Sequence, residues 1–283
     1  MKKHCDLHTH SYFSDGTVSP TELVELAEEK GISAIALCDH NTIGGLDEFM
    51  RAGSGKKVIT VPGVEFSTDY GDKELHIIAM FVKEEYYSTI TKMMDELQQR
   101  KEKSNIDLIK RLQTAGYSIN IEEIKAKTHT GTINRAHIAA ELMAKGYVIS
   151  VQDAFKNILK PSLGYYVPPK RPDAFEIIRF IKSIGSIAVL AHPFLNIKTE
   201  NQLRVFLNKA KTYGLDAMEV LYPLFDDEQT LLAKKLAEEY GLLFSGGSDF
   251  HGTNKPDIQL GIGRGDIEVP YEYFEKLSII RKK

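Results

Sequence analysis

Residues 32–40 read ISAIALCDH, an almost continuous apolar run that ends in Asp39 and His40. A strand that is apolar at nearly every position is buried on both faces, as in a parallel sheet covered by helices. Further apolar segments of similar length recur along the chain, and helical patterns separate most of them. These segments are residues 3–8, 58–64, 75–82, 187–191, 217–221 and 242–246. The alternation predicts an α/β fold, specifically a barrel-like fold with seven strands.

The start of the first helix is marked clearly in the sequence. Ser19 precedes Pro20, and Glu22 follows three residues after Ser19. Serine suits an N-cap, proline suits the first helical position, and a glutamate three residues after the cap completes a capping box. We therefore expect a helix that begins at Pro20 and stops at Gly31, a residue type that favours helix ends.

Residues 83–170 interrupt the alternation with a stretch that reads as entirely helical. Asn120 and Ser150 are followed three residues later by Glu123 and Asp153, which is typical of helix N-termini. Residues 165–172, YYVPPKRP, read as a stiff linker that returns to the barrel. The predicted organisation is a first barrel part at 1–82, a small inserted all-helical domain at 83–170 and a second barrel part at 171–283.

Histidines and carboxylates gather near the ends of the predicted strands. His8 and His10 have one residue between them, so both imidazoles point to the same side of a strand. Asp249 and His251 repeat this spacing after the last strand. In α/β barrels the functional groups collect at the carboxyl ends of the strands. The predicted metal ligands are His8, His10, Asp15, His40, Glu65, His76, His192, Asp249 and His251.

This set of donors is too large for one ion, since a catalytic zinc takes about three protein ligands. We therefore expect two or three divalent metal ions, and such sites mostly perform hydrolytic or phosphoryl chemistry. Imidazole and carboxylate donors together suit manganese, iron or zinc. Asp6 and Asp39 are expected to orient ligands or to cap backbone groups. Glu219 is either a group that supports a ligand or a buried, paired carboxylate.

Arg135 has two possible roles on spacing alone. Asn134 resembles an N-cap, which puts Arg135 and His137 in the first turn of a helix. A cation there opposes the helix dipole, but the conflict disappears when the helix N-terminus binds an anion such as phosphate. A surface arginine that pairs with a nearby acid explains the residue equally well.

Charge and composition narrow the range of partners. The 283 residues include 36 basic and 39 acidic side chains, a net charge of −3, so strong binding to long nucleic acid is not expected. No segment approaches the roughly 20 apolar residues that span a membrane, and no signal-peptide pattern opens the chain. Cys5 and Cys38 read as buried, reduced thiols. A cytoplasmic location is expected.

Taken together, the motifs resemble those of the PHP family, named after polymerase and histidinol phosphatase. The segments that carry the resemblance are DLHTHS (6–11), SDG (14–16), DHNT (39–42), GVE (63–65), His76, AHP (191–193) and GSDFH (247–251). All the ligand positions of the family pattern are filled. The resemblance implies a distorted seven-stranded (β/α)7 barrel and a trinuclear metal centre, often with manganese, although iron and zinc also occur.

The helical insertion resembles that of a subgroup of small PHP phosphoesterases. The likeness lies in NRAHIA (134–139), GYV (146–148), AF (154–155) and GYYVP (164–168), with Ala136 where the subgroup usually has proline. Members of the subgroup are similar to nucleoside 3′,5′-bisphosphate phosphatases, and some trim short RNAs from the 5′ end. The resemblance implies that Arg135 holds a substrate phosphate, with His137, Lys170 and Arg171 as further candidates.

The expected activity is metal-dependent hydrolysis of phosphate monoesters of small nucleotides, above all the 3′-phosphate of nucleoside 3′,5′-bisphosphates, by a metal-activated hydroxide. The expected catalytic residues are His192, His251 and Asp249, and either histidine could protonate the leaving group. The alternatives are a 5′–3′ exoribonuclease acting on short RNAs, a histidinol phosphatase and a non-catalytic metal-binding accessory module. The expected partner is a small phosphorylated nucleotide or a short oligonucleotide, with no membrane partner.

Overall fold

The computed structural model describes residues 3–127, 133 and 135–281. The chain divides into two compact units. One comprises Met1–Thr91 together with Pro172–Lys283, and the other comprises Lys92–Arg171. The second unit differs from the predicted insertion, 83–170, at both ends: residues 83–91 group with the barrel unit, and Arg171 groups with the second unit.

The first unit is built around one eight-stranded sheet. The seven predicted strands all form, and a two-residue eighth strand pairs antiparallel with β1 through His4 and Cys5. The strands are β1 His4–Thr9, β2 Ala34–Leu37, β3 Ile59–Tyr70, β4 Lys73–Met80, β5 Ile187–Leu190, β6 Ala217–Leu221, β7 Leu243–Gly246 and β8 Val269–Pro270. The predicted α/β barrel is therefore confirmed, with one short strand added at its edge.

The sheet curls until its ends nearly meet. Its strand order is β7-β6-β5-β4-β3-β2-β1-β8. The chain just after β7 bridges to the end of β1, where the N–H of Asp249 donates to the carbonyl of His8 at 2.8 Å. The N–H of His10 donates in turn to the carbonyl of Phe250 at 2.9 Å. These bonds join β1, the strand next to the edge strand β8, to the segment that follows β7 at the other edge of the sheet.

Strand β4 runs against its neighbours. It pairs antiparallel with both β3 and β5, whereas β1, β2 and β3 are parallel to one another, as are β5, β6 and β7. Gly71, with φ of +62°, and Asp72 form the two-residue turn between β3 and β4, and such Gly-X turns are typical of hairpins. Because β4 is reversed, its beginning lies at the same edge of the sheet as the ends of the parallel strands.

Helices cover the barrel strands. They are α1 Pro20–Glu29 and α2 Leu46–Gly53 before the insertion, and α7 Ala174–Ser183, α8 Glu200–Tyr213, α9 Asp227–Glu239 and α10 Tyr271–Arg281 after it. Helix α1 begins with the predicted capping box between Ser19 and Glu22. Leu23, Val24 and Ala27 form its buried face, so the helix packs through one apolar stripe.

The second unit consists of helices around its own apolar core. Its helices are α4 Ile121–Ala126, α5 Arg135–Ala144, α6 Val151–Asn157 and most of α3, which spans Tyr87–Thr114. Leu108, Leu112, Ile138 and Leu142 are fully buried in this core. Asn120 and Ser150 cap α4 and α6 as predicted, whereas the predicted cap Asn134 lies outside the described residues.

In the described part of the chain, no helix combines the length and the apolar character that crossing a membrane would require.

Candidate metal centre

The structure brings the nine side chains predicted as metal ligands together at one edge of the barrel. They form four overlapping groups, and within each group the candidate donor atoms lie within 4.8 Å of one another. The groups are His8, His10 and Asp249; His8, Glu65 and His192; His40, Glu65 and His76; and His10, Asp15, His40 and His251. That these residues bind metal remains a prediction. The structure shows that the fold brings their side chains together.

The two imidazoles at the middle of the cluster come from the end of strand β1: His8 lies in the strand, and His10 is the first residue after it. His8 and His10 are both fully buried, and their Nε2 atoms lie 3.0 Å apart because alternate strand residues share a face. Oδ1 of Asp249 lies 3.1 Å from Nε2 of His10 and 3.7 Å from Nε2 of His8. This carboxylate reaches them through the backbone bonds that join the end of β1 to the segment after β7.

Glu65 on β3 has its two carboxylate oxygens directed toward different histidines. Oε1 lies 2.9 Å from Nδ1 of His76 and 2.9 Å from Nε2 of His192. Oε2 lies 2.9 Å from Nδ1 of His40 and 3.3 Å from Nε2 of His8. A carboxylate with this arrangement is suited to bridge two ions.

The reversed direction of β4 explains how His76 joins the cluster from the beginning of a strand. His76 pairs with Ser67 across the β3–β4 hairpin and follows Glu74, which lies 3.4 Å from its Nε2 atom. A parallel strand in this position would have carried the start of the strand to the opposite edge of the sheet.

Asp15 is the most exposed of the candidate ligands, and it lies beside the buried His251. Oδ1 of Asp15 lies 3.1 Å from Nε2 of His251, and its Oδ2 lies 3.8 Å from Nε2 of His40. The turn that carries Asp15 is held by the N–H of Gly16, which donates to the carbonyl of Ser11 at 2.9 Å. A Cβ atom at Gly16 would stand 2.6 Å from the carbonyl oxygen of His10, so this turn requires glycine.

Two of the candidate ligands have unusual backbone conformations. His192 has φ of +24° and Asp249 has φ of +54°, and residues other than glycine seldom adopt positive φ. Each is held by a hydrogen bond from its own N–H, to Glu219 for His192 and to the carbonyl of His8 for Asp249. Backbone strain of this kind is concentrated at functional sites, where the surrounding structure enforces it.

A second layer of polar groups holds the candidate ligands. Glu219, which the sequence left open, is fully buried, and its Oε1 lies 2.8 Å from Nδ1 of His8. Its Oε2 accepts the N–H of His192 at 2.7 Å, so one carboxylate orients two candidate ligands. Of the two roles considered for Glu219, these contacts favour a group that supports candidate ligands over an isolated buried acid.

Asp6 and Asp39 tie loops together, as expected for residues that cap backbone groups. Asp6 accepts hydrogen bonds from the N–H and hydroxyl of Ser248 at 2.9 and 2.6 Å. Asp39 accepts the hydroxyls of Ser11 and Ser14, both at 2.6 Å. The two aspartates therefore brace the loops that carry Asp249 and Asp15.

Tyr222 and Lys255 belong to the site but were missed by the sequence reasoning. The hydroxyl of Tyr222 donates to Oδ2 of Asp249 at 2.8 Å, and Nζ of Lys255 lies 2.6 Å from the same oxygen. Tyr222 directly follows β6, a position that could have drawn attention to it. Lys255 is six residues beyond Asp249 in an irregular loop, where no periodic pattern indicates a direction.

The electrostatics of the cluster favour charged carboxylates. Burial alone would raise the pKa of Glu65, yet His40, His76 and His8 hold this pKa well below its usual range. Burial opposes the charged form of Asp249 as well, but the neighbouring His8 and His10 keep its pKa well below the ordinary value. Burial lowers the pKa of His10 to about 3, which leaves this imidazole neutral and able to donate a lone pair.

The donor set fits divalent metal ions. Nδ1 of His10 is buried and makes no hydrogen bond, and Nδ1 of His40 and Oε2 of Glu65, although 2.9 Å apart, are not oriented as a hydrogen bond; buried polar atoms are seldom left without a partner. Imidazole nitrogens and carboxylate oxygens are ligands that manganese, iron and zinc accept. Nδ1 of His251 lies 2.8 Å from the carbonyl oxygen of Asp249, which leaves its Nε2 atom directed at the cluster.

The residues predicted to hold substrate phosphate lie in the helical unit. Arg135 begins α5, and its guanidinium lies over the ring of Tyr166 at 4.3 Å and near the ring of Phe155 at 5.5 Å. His137 is half-buried on the same helix, and Lys170 is exposed. Stacking on Tyr166 holds the guanidinium plane in place, while phosphate binding by these residues remains a prediction.

The barrel and its cluster of histidines and carboxylates define a metal-dependent phosphoesterase. The chain matches the PHP domain over residues 6–166 and belongs to that family. It is 35% identical over 254 residues to a 5′–3′ exoribonuclease of Haemophilus influenzae, covering 89% of this chain and 91% of the relative. It is 26% identical to a 3′,5′-nucleoside bisphosphate phosphatase of Chromobacterium violaceum, covering 90% of each chain.

A solved structure supports the same assignment. A protein of Bifidobacterium adolescentis, assigned as a metal-dependent phosphoesterase, superposes with a TM-score of 0.75 at 28% identity, covering 98% of this chain and 96% of that protein. The predicted resemblance to the PHP family is confirmed by these comparisons. The chain is therefore a hydrolase that acts on phosphoesters, which excludes the non-catalytic accessory module.

Proposed function

We propose that this enzyme hydrolyses the phosphoester at the 3′ oxygen of a small nucleotide, most of all the 3′-phosphate of nucleoside 3′,5′-bisphosphates. The observation that carries the proposal is the bridging arrangement of Glu65, with its two oxygens near different histidines in a buried cluster. Phosphoester hydrolysis is the chemistry for which sites with several metal ions are best suited. The nucleotide substrate is supported by the bisphosphate phosphatase from Chromobacterium violaceum.

Two or three divalent ions are the proposed cofactors, with manganese first and iron or zinc as alternatives. His8, His10, Glu65 and Asp249 would hold ions at the centre, with His76 and His192 on one side. Asp15, His40 and His251 would hold a further ion together with His10, and His40 also shares a donor group with Glu65 and His76. Metal ions held in this way lower the pKa of water and neutralise charge on phosphoryl oxygens.

The reaction exchanges one bond at phosphorus. The oxygen of a water molecule joins phosphorus, the bond to the 3′ oxygen breaks, and the departing oxygen takes a proton. His192 and His251 were both candidates to give that proton. Nε2 of His192 lies 2.9 Å from Oε1 of Glu65 and Nε2 of His251 lies 3.1 Å from Oδ1 of Asp15, so each histidine is a candidate both for a ligand and for the acid. Lys255, beside Asp249, is suited to stabilise negative charge on the phosphoryl group.

A 5′–3′ exoribonuclease acting on short RNAs is the second candidate function. The exoribonuclease of Haemophilus influenzae, at 35% identity, favours it. A nucleoside 3′,5′-bisphosphate and a 5′-phosphorylated RNA have the same phosphoester at the first 3′ oxygen, next to a 5′-phosphate. The same centre could therefore cleave both. In the RNA, the next nucleotide is attached to one of the phosphate oxygens that are free in the bisphosphate.

The test is phosphate release from adenosine 3′,5′-bisphosphate by the manganese-loaded protein, with metal content measured in parallel. Asp249→Asn removes one candidate donor atom at nearly constant volume and is expected to lose at least about a hundredfold in rate. A 5′-phosphorylated trinucleotide measures the second candidate function, and histidinol phosphate measures the remaining alternative. Metal-loaded protein that turned over histidinol phosphate but neither nucleotide would overturn the proposal.

A further inference from the structure

We propose that Tyr12 and Phe13 form a stacking surface for the nucleobase of the substrate. The inference deepens the proposed function and rests on it insofar as the substrate is a nucleotide. It assigns a binding role to two residues that lie between candidate metal ligands but offer no metal-binding atoms.

The two rings are exposed and already stacked on one another. Their centroids lie 4.8 Å apart with an angle of 23° between the planes. Tyr12 is 51% exposed and Phe13 is 39% exposed, whereas Phe49, Phe66 and Phe206 are fully buried in the barrel. Neighbouring exposed aromatic rings are the usual surface on which proteins stack nucleobases, because every base has an aromatic face.

The pair lies beside the candidate metal centre. Tyr12 and Phe13 are on the loop that joins His10 to Asp15, and both of these residues are candidate ligands. A chain extends at most about 3.5 Å per residue, so the backbone of Phe13 lies within about 7 Å of Asp15 and within about 11 Å of His10. A nucleotide whose phosphate is at the cluster has its base within reach of these rings.

Hydrogen bonds at both ends make the loop rigid. The N–H of Tyr12 donates to the carbonyl of Val18 at 2.9 Å, and the N–H of Phe13 donates to Oγ of Ser11 at 3.2 Å. Asp39 accepts the hydroxyls of Ser11 and Ser14 on either side of the pair. A surface that is fixed in advance binds a flat ligand with little loss of conformational entropy.

Two glycines of the neighbouring loop lie against the Phe13 ring. A Cβ atom at Gly44 would lie 2.9 Å from Cδ1 of Phe13, and one at Gly45 would lie 3.0 Å from its Cδ2. One part of the ring is therefore supported by backbone while the pair keeps a face in solvent. A leucine at position 13 would still cover these glycines but would present no aromatic face.

The negative charge beside the pair favours binding of the nucleobase over binding of the phosphate at this surface. The hydroxyl of Tyr12 lies 3.4 Å from Oε2 of Glu48, and the negative charges of Glu48 and Glu22 both act on it. Carboxylates repel phosphate groups, so this side of the site favours the uncharged part of a nucleotide. The phosphates would then occupy the histidine cluster, where metal ions supply positive charge.

The experiment compares ligands with and without a base on the full-length protein. Binding of adenosine 5′-monophosphate and of 1-deoxyribose 5-phosphate is measured by calorimetry with manganese present. Hydrolysis of adenosine 3′,5′-bisphosphate and of 1-deoxyribose 3,5-bisphosphate is measured beside it. The variants are Tyr12→Leu/Phe13→Leu, Tyr12→Leu alone and the conservative Tyr12→Phe, with folding checked by thermal unfolding.

We expect wild-type protein to bind the ligand with a base at least roughly 5-fold more tightly, and the double variant to lose this preference. Tyr12→Phe, which keeps the ring, should retain it, and Tyr12→Leu should lose part of it even where the double variant is unstable. Equal binding of the two ligands by wild type, or an unchanged preference in the leucine variants, overturns the inference. A preference that depends on the rings without hydrolysis of either bisphosphate would instead contradict the proposed function alone.

Discussion

Oε1 of Glu219 lies 2.8 Å from Nδ1 of His8, and both side chains are fully buried. The contact assigns the proton of a neutral His8 to Nδ1 and leaves Nε2 as the atom that faces Glu65 and Asp249. Carboxylates that hold the distal nitrogen of an imidazole orient it and increase its basicity toward metal. Glu219 therefore orients a candidate ligand while belonging to none of the four donor groups of the described residues.

Glu219→Gln should weaken metal binding by roughly 10- to 100-fold, because an amide orients His8 less strongly than a carboxylate. The measurement is residual manganese after dialysis against graded chelator. Glu239→Gln is a matched control, since Glu239 pairs with Arg204 on the outer helices and leaves the cluster unchanged. Equal retention of metal in the two variants would contradict the supporting role of Glu219.

Asp15 and Glu65 should differ in how many ions they affect. Asp15 belongs to one of the four donor groups, whereas Glu65 belongs to two and faces histidines on both sides. Asp15→Asn is therefore expected to lower the metal content by about one ion per chain, and Glu65→Gln by more than one. Elemental analysis of both variants beside wild type makes the comparison. The same loss from both substitutions would show that Glu65 does not bridge ions.

Metal affinity should rise with pH. Burial would lower the pKa of His76, but the charge of Glu65 raises it to about 10 in the metal-free protein. Below that pH the imidazole carries a proton that a metal ion must displace, so affinity increases as the pH rises toward 10 and falls as it drops. Nearby carboxylates raise the pKa of His8 and of His40 as well, so the profile should be at least as steep as the roughly tenfold change per pH unit that release of one proton gives. Manganese titrations between pH 6 and 9 measure the slope, and a flat profile would contradict the assignment of His76.

Arg135 is expected to act on substrate binding rather than on stability. Arg135→Gln removes the charge while the side chain can still lie over Tyr166. Loss of a charge-assisted bond to phosphate should raise the KM for adenosine 3′,5′-bisphosphate by roughly 10- to 100-fold with a smaller change in kcat. Arg111→Gln is the control, because Arg111 is in the same unit and donates to the carbonyl of Tyr165. An equal increase in KM for the two substitutions would contradict a role of Arg135 in phosphate binding.

Local signals were enough to find most secondary-structure elements. The capping box at Ser19 and Glu22 and the caps at Asn120 and Ser150 all form, because a cap depends on residues three or four positions apart. The direction of β4 was harder to infer. Gly71 and Asp72 do mark a hairpin turn, but an apolar run such as residues 75–82 has the same pattern in a parallel or an antiparallel strand.

The α/β class, the positions of the main strands and the chemical types of the nine candidate ligands can be read from the sequence, since side-chain chemistry and short-range periodicity are local properties of the chain. The path of His76 into the cluster through a reversed strand, and the position of Glu65 with histidines on both sides, depend on how the strands pair in three dimensions. The tertiary structure also brings Glu219, Tyr222 and Lys255 to the ligands. These contacts join segments as many as 211 residues apart, and their distances depend on how the sheet curls and pairs, which no local pattern encodes.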